Sequence, residues 1–342
     1  MTEPTAMAQE IRQTPQIVSR FLAAEAASLA AIGARLRALD PCVVVTCARG
    51  SSDNASAYFK YLCEILLGVP VASVGPSIAS IYKAPLKLKG AAVVSVSQSG
   101  KSPDIVALQA SARTSGAFAI AVVNDAASPL ALGADAVIPL HAGPEASVAA
   151  TKSFLMSAVA LAALVAEWRQ DRPLLEALKG LPAAFDAAIA ADWQEPLAQL
   201  APAGSAYIVG RGPAFPIAQE AALKLKETAM LHAEPFSAAE VMHGPLQLVH
   251  AGFPVIAFRP EDAAFEAMGG AVERLRATGG HVLVVEKGAA QPGRLKFAPS
   301  THPLLDPIVM LASFYDMTEK LARARGHDPD RPSRLNKITA TV

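Results

Sequence analysis

Short runs of apolar residues alternate along the chain with longer stretches that are rich in alanine and leucine. Within runs such as Cys42–Thr46 and Ala119–Val123 the apolar residues are continuous and do not alternate with polar ones. Continuous runs of this kind are typical of strands that are buried on both faces of a parallel sheet. The stretches between them suit the helices that connect such strands. The pattern therefore predicts an α/β fold.

The arrangement occurs twice along the chain. Arg49, which follows the first run, corresponds to Arg211, which follows another run 162 positions later. Three pairs of runs share this spacing: Cys42–Thr46 with Ala206–Val209, Val93–Val96 with Val255–Phe258, and Ala119–Val123 with His281–Val285. Because one spacing holds for three pairs without a gap, we predict two copies of one doubly wound α/β unit.

The positions of the runs also predict how the chain is divided. We expect an N-terminal helical segment over 1–34, a first α/β domain over 35–165, a helical connector over 166–194, a second α/β domain over 195–306, and a C-terminal helix and tail over 307–342. Ligands of open parallel sheets bind outside the carboxyl ends of the strands. Candidate functional residues are therefore expected directly after each strand.

Composition and charge exclude several classes of function. The chain has 342 residues, of which 52% are hydrophobic and 18% charged, so it can bury a large core. Its formal net charge is zero and it has no long basic run, which argues against a nucleic-acid or anionic-membrane partner. Cys42, Cys47 and Cys63 form neither a disulfide framework nor a metal-ligand spacing. Since there is no apolar signal region and the longest apolar stretch, Phe154–Glu167, is too short to span a bilayer, we expect a soluble cytoplasmic protein.

Hydroxyl-rich turns follow two of the predicted strands. Ser97–Asp104 contains three serines and a glycine and leads into a helical stretch. Pro103 suits the first position of a helix, whose unpaired N–H groups favour a phosphate dianion. Gly50–Asn54 is a second such turn in the same half. One turn alone is equally compatible with an ordinary capped helix start, whereas two turns at one sheet edge favour a phosphate site.

The second copy differs at the corresponding position. A shift of 162 residues carries Ser97–Gly100 onto Arg259–Asp262, so that the second copy has lost the hydroxyl groups. The Gly-Lys-Ser sequence at 100–102 imitates the end of a P-loop, but Ser95 stands where its first glycine is required. We therefore predict an anion site in the first copy and none in the second.

Candidate acid–base residues lie in the second half of the chain. Glu220 and Lys224 have the i, i+4 spacing of a helix pair, which we interpret as a solvated charged face. Glu227 is flanked by apolar residues, and a half-buried carboxylate there can act as a proton-transfer base. His243 precedes a Gly-Pro turn, which predicts a loop position. A lone histidine is more often structural, but proton transfer is a more natural role for it than metal binding, and we expect no metal site.

The tail carries a further candidate. Lys337 lies among apolar and β-branched residues such as Leu335 and Ile338, which suggests a tail that docks. A lysine on a docked tail can be desolvated and become a usable amine. The alternative for Lys337 is an exposed charge that only increases solubility.

Together these segments resemble the tandem SIS (sugar isomerase) family, in particular the isomerase half of glucosamine-6-phosphate synthase and stand-alone deaminases. The matching motifs are MAQEIRQTP at 7–15, SQSGKS at 97–102, GRGPAFPIAQEAALKLKE at 210–227, HAEPFSAAEVMHGPL at 232–246 and the tail that contains Lys337. The resemblance implies two flavodoxin-like, five-stranded parallel sheets. It also implies a homodimer with shared active sites that acts on a small sugar phosphate without a cofactor.

The resemblance further implies roles for single residues. The implied substrate-binding positions are Ser52, Ser97, Gln98, Ser99 and Ser102 for the phosphate, together with Gly50 and Ala150. Glu227 would move a proton between C1 and C2, His243 of the neighbouring subunit would open the sugar ring, and Lys337 would engage the open-chain carbonyl.

Departures from the synthase pattern shape the functional hypothesis. Lys101 replaces a glutamate and Ala150 replaces a serine. The nucleophile of the glutaminase domain is an N-terminal cysteine, whereas the first cysteine here is Cys42, so we expect no glutaminase domain. Glutamine-dependent synthesis is therefore disfavoured, and the first hypothesis is conversion of glucosamine 6-phosphate to fructose 6-phosphate and ammonia. The alternatives are a synthase-like isomerase without its glutaminase domain, another ketose–aldose phosphosugar isomerase, and a deglycase. A non-catalytic sugar-phosphate sensor is less expected, because the acid–base residues are all present.

Overall fold

Two parallel sheets contain the strands of the computed structural model, which describes residues 3–289, 291–335 and 337. The first sheet consists of β1 (Val44–Cys47), β2 (Val71–Ser73), β3 (Ala92–Ser97), β4 (Phe118–Val123) and β5 (Ala136–Pro139). The second consists of β6 (Ser205–Gly210), β7 (His232–Ser237), β8 (Pro254–Phe258), β9 (His281–Val285) and β10 (Arg294–Leu295). The predicted α/β class with two five-stranded parallel sheets is confirmed.

The two sheets have the same topology. The first has the order β2-β1-β3-β4-β5 and the second β7-β6-β8-β9-β10, which is the same order of strands within each copy. In the first sheet Val45 pairs with Val93, and in the second Tyr207 pairs with Val255. Each residue of the second pair lies 162 positions after its counterpart in the first pair. The internal repeat that the sequence predicts is therefore present in the register of the strands.

The helices occupy the segments between and beside the strands. In chain order they are α1 (Ala6–Ala24), α2 (Ala26–Leu39), α3 (Ser51–Leu66), α4 (Ser77–Ser80), α5 (Pro103–Thr114), α6 (Pro129–Leu132), α7 (Lys152–Arg169), α8 (Arg172–Ile189), α9 (Gln194–Leu200), α10 (Ala214–Ala229), α11 (Phe265–Ala277) and α12 (Asp306–Ala324). Two short 3₁₀ turns, Glu240–His243 and Pro245–Leu248, follow β7. No single helix of the described ranges is both long and apolar enough to cross a membrane; α1 and α2 meet that requirement only as a pair bent by 62°.

The described chain divides into two compact units, each built around one sheet. The amino-terminal unit contains residues 16–145, 152–179 and Lys337, and it includes the first sheet. The carboxy-terminal unit contains residues 3–15, 146–151 and 180–335, and it includes the second sheet.

Helix α7 is the central helix of the amino-terminal unit. All of its residues except Glu167 and Arg169 are buried, because it packs against both α2 and α3. A helix that is apolar all round must be covered on every side. Gly33 of α2 allows the closest approach, since a Cβ there would lie only 2.8 Å from the Glu167 carbonyl carbon.

Helix α10, which the repeat relates to α3, lies in the carboxy-terminal unit between β6 and β7 on one side and α12 on the other. On the other face of the second sheet Tyr207 packs edge-on against Phe236 and Phe253, with ring centroids 4.9 and 4.8 Å apart. Because α10 is covered on two sides, polar residues along it must find partners inside the unit.

Candidate active site

The turn after β3 is held by its own hydroxyl groups. Ser97 Oγ accepts a hydrogen bond from the Gly100 N–H at 3.1 Å, and Ser99 Oγ accepts one from the Lys101 N–H at 3.3 Å. Ser102 precedes α5 in an extended conformation, and its hydroxyl makes no capping hydrogen bond to the helix. The N-terminus of α5 therefore carries a partly exposed hydroxyl, as a helix N-terminus that binds phosphate does.

Gly100 cannot be replaced in this turn without strain. Its φ is +64°, and a Cβ would lie 2.1 Å from Ser128 Oγ. Its carbonyl accepts a hydrogen bond from the Leu130 N–H at 3.1 Å, which attaches the turn to α6. The backbone of the turn is thus fixed from both sides.

The second hydroxyl-rich turn lies after β1. Gly50 has φ +55° and its carbonyl accepts the N–H groups of Asp53 and Asn54, so that α3 begins at Ser51. Ser52 is half-buried within the first turn of this helix. Since β1 and β3 are neighbours in a parallel sheet, both turns lie at the same edge of the first sheet, as predicted. Ser52, Ser97, Gln98, Ser99 and Ser102 are all in the amino-terminal unit.

An arginine occupies the corresponding place in the second copy. Arg259 follows β8, and its guanidinium stacks on the Phe265 ring 3.7 Å from the centroid. The same group donates to Glu286 Oε2 at 2.7 Å, and Glu286 also accepts from Arg294 at 2.7 Å. A Cβ on Gly269 would lie 2.6 Å from Arg259 Nη2, so the arginine fills the available space.

Glu227 belongs to a cluster of charges along α10. The ammonium of Lys224 contacts Glu220 Oε1 at 3.4 Å and donates to Glu227 Oε2, while the Tyr315 hydroxyl of α12 donates to Glu220 Oε1 at 2.9 Å. The side chains of Glu220 and Lys224 are completely buried, whereas that of Glu227 is 24% exposed. The cluster therefore presents one carboxylate to solvent and holds it with a buried cation.

The interpretation of Glu220 and Lys224 as a solvated face was wrong. An i, i+4 pair has the same sequence pattern on a solvated face and inside a protein, and here α12 covers that side of α10. The partly buried position of Glu227 agrees with the prediction. Met230, three residues after Glu227, is 51% exposed. It follows the last residue of α10 in a left-handed conformation with φ 47°.

A cleft of about 610 Å³ opens beside Glu227 in the carboxy-terminal unit. One wall is the end of α10, and the other is the chain segment 326–335, which contributes Arg331 and Arg334. This segment is fixed at its start, where Arg325 donates to four backbone carbonyls, and at Asp330, which accepts the first N–H groups of α1 at 2.7 and 2.8 Å. Glu227 thus faces a space large enough for a small ligand.

His243 ends a 3₁₀ turn and is exposed, in agreement with the predicted loop position. Within the described residues of one chain it forms no hydrogen bond or ion pair with Glu227. Ala150 is half-buried in the segment 146–151 of the same unit, where the Val148 N–H donates to the Asp330 carbonyl at 3.1 Å. No group of three or more His, Cys, Asp or Glu side chains in the described ranges could hold a metal ion.

Lys337 is docked on a buried carboxylate in the amino-terminal unit. Its ammonium lies 3.0 Å from Glu145 Oε2, and Glu145 also accepts the Ser153 N–H at 3.1 Å and the Ser153 hydroxyl at 2.7 Å. Burial raises the pKa of Glu145, but the charge of Lys337 and the hydrogen bonds from Ser153 outweigh it and hold that pKa below its usual range. Lys337 is therefore no free solubilising charge, while Ile338, Thr339, Thr341 and Val342, which also suggested a docking tail, lie outside the described residues.

Sequence reasoning missed Glu145 and Tyr315, and it missed the contact of Lys224 with Glu227. A single acid in the loop after β5 has no local pattern, and its partner lies 192 positions away. The lysine between Glu220 and Glu227 was visible, and the spacing i, i+3 to one acid and i, i+4 to the other was the available signal.

The family model of the SIS domain matches residues 43–167 and 199–292, which are the two copies described above. The chain belongs to the SIS family. It is 34% identical over 311 residues to the glutamine–fructose-6-phosphate aminotransferase of Zymomonas mobilis. The matched region covers 86% of this chain and 51% of that protein. The chain spans about half the length of the curated relatives it matches.

Solved structures of the SIS family share the whole fold. A candidate phosphosugar isomerase from Silicibacter pomeroyi is 46% identical, with a TM-score of 0.91, over 96% of this chain and 100% of that one. The glucosamine-6-phosphate deaminase of Thermotoga maritima has a TM-score of 0.80 at 19% identity, over 98% of this chain and 100% of that one. The second likeness shows the fold alone.

Proposed function

We propose that this protein is a phosphosugar isomerase of the SIS family that converts glucosamine 6-phosphate to fructose 6-phosphate and ammonia. The curated relatives are named as aminotransferases of glutamine and fructose 6-phosphate. A name that joins an amino donor to a sugar phosphate favours an amino-sugar phosphate over a plain ketose–aldose pair as the substrate class.

The observation that carries the proposal is the charge cluster of α10. A base that removes a proton from carbon must be held in place, and the contact with the buried Lys224 ammonium does this for Glu227. Glu227 is the member of the cluster that reaches the cleft. Glu227 differs in this from Glu220, whose carboxylate contacts the same lysine but is completely buried.

The proposed reaction follows from these groups. The hydroxyls and N–H groups of the turns after β1 and β3 bind the phosphate dianion. His243 moves the proton that opens the sugar ring, and Lys337 engages the resulting C1 aldehyde. Glu227 then removes the C2 proton and the C1 oxygen gains a proton, which gives an enolamine. Glu227 returns its proton to C1 while the nitrogen loses one, which leaves an imine at C2. Water adds to this imine, the C–N bond breaks, and ammonia leaves as the C2 ketone forms.

A homodimer with shared sites is part of the proposal. His243 is exposed, and Leu248 in the adjacent 3₁₀ turn is 62% exposed, which suits a surface that meets a second copy. Subunit mixing tests the sharing. In a random mixture of Glu227→Gln and His243→Asn, half of the dimers are mixed and each has one intact site, so about a quarter of wild-type activity returns. Sites built from one chain would regain none.

The assay for the reaction is direct. Purified protein is given glucosamine 6-phosphate without glutamine, and ammonia and fructose 6-phosphate are measured separately. Deamination releases the two in equal amounts. If glucose 6-phosphate and fructose 6-phosphate interconvert but the amino sugar gives no ammonia, the protein is a ketose–aldose isomerase and the proposal fails.

A further inference from the structure

Glu145 is a buried carboxylate with rigid support. It lies in the loop between β5 and α7, and its side chain is completely buried. Its two oxygens accept the N–H and the hydroxyl of Ser153 in the first turn of α7, where the helix dipole favours a negative charge. The carboxylate is thus oriented by the folded unit itself, whether or not the tail is in place.

The third partner of this carboxylate comes from the tail. Lys337 Nζ lies 3.0 Å from Glu145 Oε2, and the lysine side chain keeps 27% of its surface exposed. An ammonium has three N–H donors, and the exposed part of the Lys337 side chain can face a ligand. Burying a carboxylate without a cation costs free energy, so the ion pair with Lys337 favours docking of the tail at this position.

We propose that Glu145 is a positioning residue that seats Lys337 against the open-chain sugar. This inference rests on the proposed function, which assigns Lys337 to the C1 carbonyl. Glu145 acts through the lysine and does not itself touch the substrate. Misplacing a reacting group by about 1 Å can cost about 10²-fold in rate, so the seat of the lysine bears on turnover.

The test is a double-mutant cycle in the full-length protein. Glu145→Gln keeps the size of the side chain and an acceptor for Ser153 but removes the charge that attracts Lys337. We expect kcat to fall about 10²-fold with little change in KM, because the phosphate turns are untouched. In a Lys337→Met background, Glu145→Gln should lower kcat no further. Additive losses would mean that Glu145 acts independently of the lysine, and the inference would be wrong.

A readout without catalysis keeps the inference separate from the proposed function. Hydrogen exchange of the tail peptide, followed by mass spectrometry, should become faster by the same factor in Glu145→Gln and in Lys337→Met. Glu176→Gln is the control, because Glu176 pairs with Lys179 on the surface of the same unit at 2.6 Å and should change neither exchange nor kcat.

The possible outcomes are distinct. If wild-type protein turns over no sugar phosphate, the proposed function fails, and tail exchange alone decides whether Glu145 holds Lys337. If wild-type protein is active but tail exchange is unchanged in Glu145→Gln, only the inference fails. Should Glu145→Gln not fold, Ser153→Ala replaces it, since it removes one of the bonds that orient the carboxylate and should show the same effects in weaker form.

Discussion

The turns after β3 and β8 occupy the same place in the two copies but contain opposite chemistry. In the first copy Ser97 and Ser99 accept backbone N–H groups around a left-handed Gly100. In the second, Arg259 fills the position and is tied to Glu286. One turn keeps small hydroxyl side chains at the sheet edge, whereas the other carries an arginine that is paired with an acid following β9.

The turns after the first strand of each copy have remained alike. Gly50 and Gly212, which lie 162 residues apart, have φ +55° and φ +57°, and a Cβ on either would meet nothing within 4 Å. The backbone requirement at the strand–helix junction is therefore common to both copies. The two copies differ instead in the side chains that follow these glycines.

The largest effect is expected at the acid–base cluster of the second copy. Glu227→Gln should lower kcat by about 10²–10⁴-fold, because an amide cannot remove the C2 proton. Binding of inorganic phosphate, measured by calorimetry, should stay nearly unchanged if the first copy alone holds the anion. Glu273→Gln, at an exposed glutamate of α11 in the same unit, is the control. Loss of phosphate binding in Glu227→Gln would show that the duties are not divided in this way.

The next effect concerns the phosphate turn itself. Gly100→Ala should lower the free energy of unfolding by about 2–4 kcal/mol, because it adds left-handed strain and a clash with Ser128. Gly212→Ala in the other copy is the matched control. It has the same strain but no clash, so about 1–2 kcal/mol is expected. Chemical denaturation measures both, and equal losses would mean that the Ser128 contact yields in the variant.

Much of the scaffold could be read from the sequence, but only part of the candidate site. The central strands were predictable because both of their faces are buried, which gives continuous runs such as Val93–Val96. The edge strands β2 and β7 are more exposed and have no such run. The hydroxyl-rich turns were predictable because strand order brings neighbouring strand ends together. The burial of Lys224 and the partner of Lys337 were not, because they depend on single side chains from distant segments, Tyr315 and Glu145.

A smaller pair of effects should separate the two turns. Arg259→Ala removes the stack on Phe265 and one partner of Glu286, and should lower the free energy of unfolding by about 1–3 kcal/mol without changing KM. Ser102→Ala should do the reverse, because the Ser102 hydroxyl makes no capping hydrogen bond that the substitution would remove. Losing one hydrogen bond to a charged phosphate raises KM roughly tenfold, with an unchanged melting temperature. A higher KM in Arg259→Ala would show that the second turn also serves the ligand.

The smallest effect is a dependence of stability on pH that only the second copy should show. Burial raises the pKa of Asp306 to about 6; hydrogen bonds from Ser300 oppose the shift, and the charge of Glu261 in the turn after β8 adds to it. Because the folded protein holds this proton more tightly than the unfolded chain, the contribution is complete below about pH 4 and is lost as pH rises through about 6.

The stability difference between wild type and Asp306→Asn should therefore decline across that window, by at most about 1.4 kcal/mol per pH unit. In the first copy the hydrogen bond from Lys101 lowers the pKa of Asp125, so the contribution of Asp125 is complete above about pH 4, and Asp125→Asn should give no slope in that window. Urea titrations from pH 4 to pH 7 measure both. Equal slopes would mean that Glu261 and Asp306 do not give the second copy a pH dependence of its own. The turns after β3 and β8 would then differ in packing alone.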